Sequence, residues 1–188
     1  MDIFAITSYQ LLVYVHLLAF VFWLGADAGV FMLGQHFRKR EKYDLQTRLV
    51  LLQLLVNLDM VPRTAWALMV PLSLSVVDAG GYWDIPAWGL ALAWIGGGIW
   101  LWLVWDAHIH DQTPRAVRDR KIEAWFRYAF TLFYLALGSI SLVTGEPLAP
   151  TWLATKALMF GLIFAAAIMI DVAFKPVGPQ LGKLITDG

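Results

Sequence analysis

Five stretches of this chain are each apolar over about twenty residues, the length an α-helix needs to cross a hydrocarbon core of about 30 Å. They run from about Tyr9 to Leu33, from around Leu58 to near Val77, and then over Ala87–Trp105, Ala124–Val143 and Trp152–Val172. Backbone amides in lipid have to be satisfied within their own segment, so stretches of this kind admit helix and little else. Composition agrees: 60% of the 188 residues are hydrophobic, against about 45–50% in soluble domains. The expected fold is an all-α integral membrane protein, a bundle of five transmembrane helices forming one domain over residues 1–188. Ahead of the second span, Leu45–Leu58 (LQTRLVLLQLLVNL) sets Gln46, Arg48, Gln53 and Asn57 among leucines, and Pro62 follows. Proline removes a backbone donor and bends a helix. The expectation is an amphipathic interfacial helix leading into a kinked span, with one continuous tilted helix as the alternative.

The basic residues orient the bundle. Arg38, Lys39, Arg40, Lys42 and Arg48 follow the first span, Arg115, Arg118, Arg120 and Lys121 follow the third, and Lys175 and Lys183 lie in the tail. The second and fourth connections carry only acids, Asp78, Asp84 and Glu146. The positive-inside rule then puts the N-terminus outside and the C-terminus in the cytoplasm of a cell with this protein in its inner (plasma) membrane. Asp2, rather than a basic region, precedes the first span, so that span reads as retained and not as a cleaved leader. Trp83, Trp88, Trp105, Trp125 and Trp152 fall where interfacial belts belong. Gly96–Gly97–Gly98 in the third span reads as a close helix contact. A formal net charge of zero offers nothing to nucleic acid. The absence of cysteine excludes disulfides, thiolate metal sites and covalent haem attachment, leaving His, carboxylate, Met and a non-covalently held cofactor.

Ionisable residues within hydrocarbon are rare and mark function more often than other positions do. His16 sits about 10 Å into the first span at 1.5 Å per residue. Trp23 and Asp27 follow at offsets of seven and eleven, which at about 100° per residue fall within about 20° of it. All three therefore share one face, and Asp27 requires that face to point into protein. A neutral histidine bonded to a backbone carbonyl suits the same spacing, and so does a haem or metal ligand. Lys156 enters the fifth span at a similar depth, where it either snorkels to the interface or meets a ligand carboxylate. Asp59 and Arg63, spaced i, i+4, read as a structural ion pair with Asp171 and Asp27 as further partners. His36, His108 and His110 collect at the inner ends of spans one and three. They form a metal triad only if the helix has ended at the His-x-His pair, and are otherwise solvated histidines.

In these positions the chain resembles the HemJ-type membrane protoporphyrinogen oxidases and the related CopD-like membrane proteins. The first helix carries His16, Trp23, Gly25 and His36. The second has Arg63 followed eight positions on by Pro71, with Met69 just before it. The last opens "WLATKALMFGLIF", supplying Trp152 and Lys156. The resemblance covers three helices and implies b-type haem with His16 as an iron ligand, and a functional role for Lys156. On that reading Phe20 and Trp23 pack on the macrocycle, Lys156 faces a propionate or a substrate carboxylate, and electrons pass to a quinone or respiratory-chain component, with porphyrinogen oxidation as one option. Two other classes stay open. One is an accessory or anchor subunit of a larger membrane complex without its own cofactor. The other is copper handling through Met32, Met60, Met69, His16 and His36. On any reading the chain is expected to be a homo-oligomer or a subunit of a membrane complex.

Overall fold

The computed structural model describes residues 7–174, with all side chains except those at 171, 173 and 174. Asp2, Lys175, Lys183 and the side chain of Asp171 lie outside the described residues. Among the described residues there are five α-helices and no strand: α1 (Ser8–Phe37), α2 (Leu45–Ala79), α3 (Ala87–Ile109), α4 (Pro114–Thr144) and α5 (Thr151–Phe174). All five are long and apolar enough to cross a membrane.

Local chemistry sets the helix starts. Thr7 and Gln10 form a reciprocal capping box at α1, each side chain bonded to the other's backbone N–H. Asp44 caps α2 by accepting from the Thr47 N–H at 3.0 Å. Thr113 caps α4, accepting from the Ala116 N–H at 3.2 Å. Pro114 follows at the first helical position, where a missing donor costs nothing.

α2 departs from the expected interfacial helix plus kinked span. It runs from Leu45 to Ala79 as one helix, with Pro62 and Pro71 inside it. At 1.5 Å per residue it is about 52 Å long, well beyond the hydrocarbon core, so the polar prelude is an extension of the span itself. Pro62 is itself buried, with Met60, Ala65 and Ala67 buried around it, and that packing overrides the lost hydrogen bond.

The chain divides into two compact units, 1–120 and 121–188. In the first, α2 is the central helix. α1 lies antiparallel against one side, with Trp23 on Trp66, Gly29 against Leu58 and Gly34 against Leu55. α3 lies antiparallel against another. The Trp94 and Trp105 indole N–H groups donate to Ser75 Oγ and Thr64 Oγ1, both at 3.1 Å. Between those two bonds Gly97 meets Ala67 and Pro71: a methyl on Gly97 would stand 2.9 Å from Pro71 Cγ and 3.0 Å from the Ala67 carbonyl oxygen. Pro71 has no N–H to give that carbonyl, so the helix leaves it exposed where α3 comes closest. Gly96 and Gly98 approach nothing.

In the second unit α4 and α5 cross through reciprocal glycines. Gly138 lies on the Leu158 backbone and Gly161 on that of Leu135. Beside them Tyr134 and Phe164 stack at 6.4 Å, with Phe160 edge-on to both. Ser141 accepts from the Leu148 N–H at 3.3 Å and ties the α4–α5 connection back onto α4.

Candidate functional site

One stripe of α1 faces α2, and His16 and Asp27 are on it with Trp23. Trp23, only 7% exposed, is the buried residue of the helix, with His16 and Asp27 half-buried above and below it on the same stripe. Val21, Phe22 and Leu24, between them in sequence, are exposed. Placing the three at offsets of seven and eleven is what a 3.6-residue repeat does when one side of the helix has protein beside it.

The Trp23–Asp27 end of the stripe is a polar junction between α1 and α2. The Trp23 indole N–H hydrogen-bonds the Asp27 carboxylate one turn along, and the Asp59 carboxylate of α2 is close enough for its charge to act on Asp27. Asp59 accepts from Arg63 Nε at 2.5 Å, an i, i+4 ion pair on α2. Trp66, one turn beyond Arg63, packs edge-on against Trp23 with ring centroids 5.5 Å apart. Two carboxylates and one guanidinium thus meet beside two indoles. Both halves are built the same way, an acid and its donor four residues apart, and the indole contact locks the register between them.

His16 lies about 10 Å from Trp23 along α1, and its Nδ1 is shielded from solvent. Phe20, between them, is 43% exposed and sits edge-on to Trp23 at 6.0 Å. Ala19 and Phe22, three and six residues on from His16, form one wall of an apolar groove of about 340 Å³ whose other walls are Met60, Thr64 and Leu68 of α2 and Trp105 of α3; His16 itself does not line it. Lys156, in the second unit, is exposed, with its ammonium 5.6 Å from the centre of the Trp152 ring.

The other histidines have local partners. His36 Nδ1 and the Tyr43 hydroxyl are 2.9 Å apart, across the α1–α2 turn. His110 caps the end of α3, its Nδ1 3.1 Å from the Asp106 carbonyl oxygen. His108 lies edge-on to Trp105 at 6.2 Å. Among the described residues no three His, Asp or Glu side chains gather as a metal site. Of the methionines, Met60 and Met69 are buried in α2 while Met32 is 62% exposed on α1.

A second charged assembly closes the α3–α4 connection, and the spacing of the sequence gave no sign of it. Asp106, buried on α3, takes a two-pronged bond from Arg115 on the next helix, 2.6 Å at Nε. Asp119 is fully buried and pairs with Arg118 at 2.9 Å. Arg120 bonds Asp111 at 2.5 Å and the Ala107 carbonyl at 3.2 Å. The Arg120 bond holds the Asp111 carboxyl below the usual carboxylate range. The signal available was two arginines each nine residues after an acid, Arg115 after Asp106 and Arg120 after Asp111, with Arg118 next to Asp119. It has the look of an ordinary cytoplasmic loop until the chain reverses at Gln112, whose φ of 65° turns it back on itself.

Comparison of the chain with protein families, with curated proteins and with solved structures finds no match.

Proposed function

We propose that the chain is a multi-pass protein of the inner (plasma) membrane that holds b-type haem at His16 and passes electrons between a substrate or partner and a quinone or respiratory acceptor. The observation that carries this reading is the position of His16: an imidazole inside a span, on the protein-facing stripe of α1, with Nδ1 shielded from solvent. That donor chemistry would suit an iron ligand of haem. Phe20, 43% exposed and about 40° around α1 from His16 one turn on, is an aromatic side chain beside that imidazole of the kind a macrocycle packs on. Haem, when bound, supplies the one-electron chemistry. Trp23 is already committed to Trp66 and Asp27, so it fixes the His16 stripe against α2, and the exposed Phe20 is the aromatic left to face a ligand. The surplus carboxylate at the Asp27–Asp59–Arg63 junction is a place to hold a proton at Asp27. The basic residues of the α1–α2 and α3–α4 connections support an N-terminus outside.

A visible spectrum of the purified chain tests the reading. A Soret band is expected in the wild type, lost in His16→Ala and kept in His108→Ala and His110→Ala. A His16→Ala protein with the full Soret band overturns it. A second reading, a cofactor-free subunit of a larger membrane complex, draws on the large apolar side chains exposed along α1, from Leu11 to Met32. A colourless, metal-free wild type would favour it.

A further inference from the structure

We propose that the α1–α2 turn, Arg38–Lys42, is a binding site for the anionic headgroups of membrane phospholipids. The turn holds Arg38, Lys39, Arg40 and Lys42, all exposed, with Glu41 as the single acid of the five. None of the four cations belongs to an ion pair found among the described residues. The nearest further acid, Asp44, is occupied in capping α2. The other basic connection is the opposite case. Arg115, Arg118 and Arg120 are matched one to one by Asp106, Asp119 and Asp111. Three of the four cations of that connection are neutralised from within, Lys121 being the exception, whereas the α1–α2 turn leaves all four of its cations for something outside the chain.

The unmatched turn is also held in shape. Lys39 N–H donates to the His36 carbonyl and Tyr43 N–H to that of Lys39. Arg48, buried, donates from Nε to the Phe37 carbonyl at 2.8 Å and ties α2 to the end of α1. The His36–Tyr43 contact spans the base of the turn, and Lys42 rests over the Tyr43 ring. An ordered backbone presents the four cations together, so little ordering remains to be done when an anion arrives. Depth completes the argument. Phe31 and Met32, 66% and 62% exposed, end about 9 Å before Arg38 along α1, and Val50 and Leu54 are exposed on the α2 side. Apolar surface of that kind belongs in hydrocarbon. The turn therefore stands in the layer where phosphates lie, and the attraction of basic side chains to an acidic surface accumulates residue by residue within a Debye length.

The test uses the full chain reconstituted in phosphatidylcholine bilayers with trace spin-labelled phosphatidylglycerol or spin-labelled phosphatidylcholine, and reads the motionally restricted fraction of each. The wild type is expected to retain the acidic label about threefold or more over the neutral one. The preference should approach parity at about 0.5 M salt. The R38Q/K39Q/R40Q/K42Q protein should lose it, R38K/R40K should keep it, and D111N/R120Q, which removes a matched pair, should leave it as it was. K39Q/K42Q, a milder change that keeps both arginines, should lower it part-way even if the fourfold variant fails to fold. At equal ionic strength, inorganic phosphate should displace the acidic label no better than chloride. Equal retention of both labels by the wild type, an unchanged preference in K39Q/K42Q and the fourfold variant, or selective displacement by phosphate would overturn the proposal.

Discussion

Asp27 and Asp59 converge on a part of the helix pair where Arg63 is the paired cation, and this sets the consequence of losing each residue. Arg63→Ala leaves two carboxylates facing one another in a poor solvent, whereas Asp59→Asn with Arg63→Gln removes the repulsion along with the attraction. The single variant should therefore unfold more easily in detergent than the double one. The Arg63 and Asp59 side chains are 40% and 28% exposed, which discounts the roughly 3–5 kcal/mol of a fully buried broken pair towards about 1–2 kcal/mol. Equal melting of Arg63→Ala and wild type would count against the junction. Asp111 gives the pH dependence. Its carboxyl is held low by the bond from Arg120, so the folded form binds its proton less readily than the unfolded one. The sign follows: this contribution is complete above the unfolded value of about 3.9 and is lost as pH falls through the lower folded value. Melting curves of wild type and Asp111→Asn should converge in acid and separate towards neutrality, and parallel curves would contradict it. At this scale much was legible. The offsets of His16, Trp23 and Asp27 and the i, i+4 spacing of Asp59 and Arg63 are helix geometry that sequence carries directly. The Trp66 contact and the pairing of Asp106 with Arg115 were not, because they depend on which faces two separate helices turn towards each other.

Helix contacts carry the next level. Gly96, Gly97 and Gly98 look alike in sequence, and a close approach somewhere in the triplet was readable. Which glycine makes it depends on the rotation of α3 about its axis, which no local pattern encodes. Gly97→Ala would drive a methyl into the Pro71 ring and the Ala67 carbonyl, neither of which can swing aside. It should cost about 1–3 kcal/mol, the usual range for overpacking. Gly96→Ala, with nothing within 4 Å, should be neutral or slightly stabilising through helix propensity. Thermal unfolding of the two variants in one detergent checks the contrast, and similar melting would place the α2–α3 contact elsewhere. Gly138 is stricter still: the added methyl would lie 2.6 Å from Leu158 Cα, backbone against backbone. At α2 the continuous helix, the alternative reading, is the one observed. A proline and four polar side chains argue for a break at the interface, but Met60, Pro62, Ala65 and Ala67 are buried and keep the helix packed through it.

For the molecule as a whole, five helices long and apolar enough to cross a membrane, with basic residues in the α1–α2 and α3–α4 connections, predict a definite path through a bilayer. The chain has no native cysteine, so single cysteines at Glu41 and Asp84, both exposed, report it without interference. An impermeant thiol reagent added to intact cells should label Asp84→Cys and reach Glu41→Cys only after permeabilisation, and the reverse pattern would invert the topology. What the number and length of the helices could not convey is the chemistry between them, which the proposed reading assigns to His16. The most direct measurement is a reduced-minus-oxidised difference spectrum of the intact purified chain together with its haem-to-protein ratio. The account predicts sharp reduced b-type bands at about one haem per chain and their loss in His16→Ala. A wild-type protein that folds, keeps its five spans and shows no haem bands would contradict it.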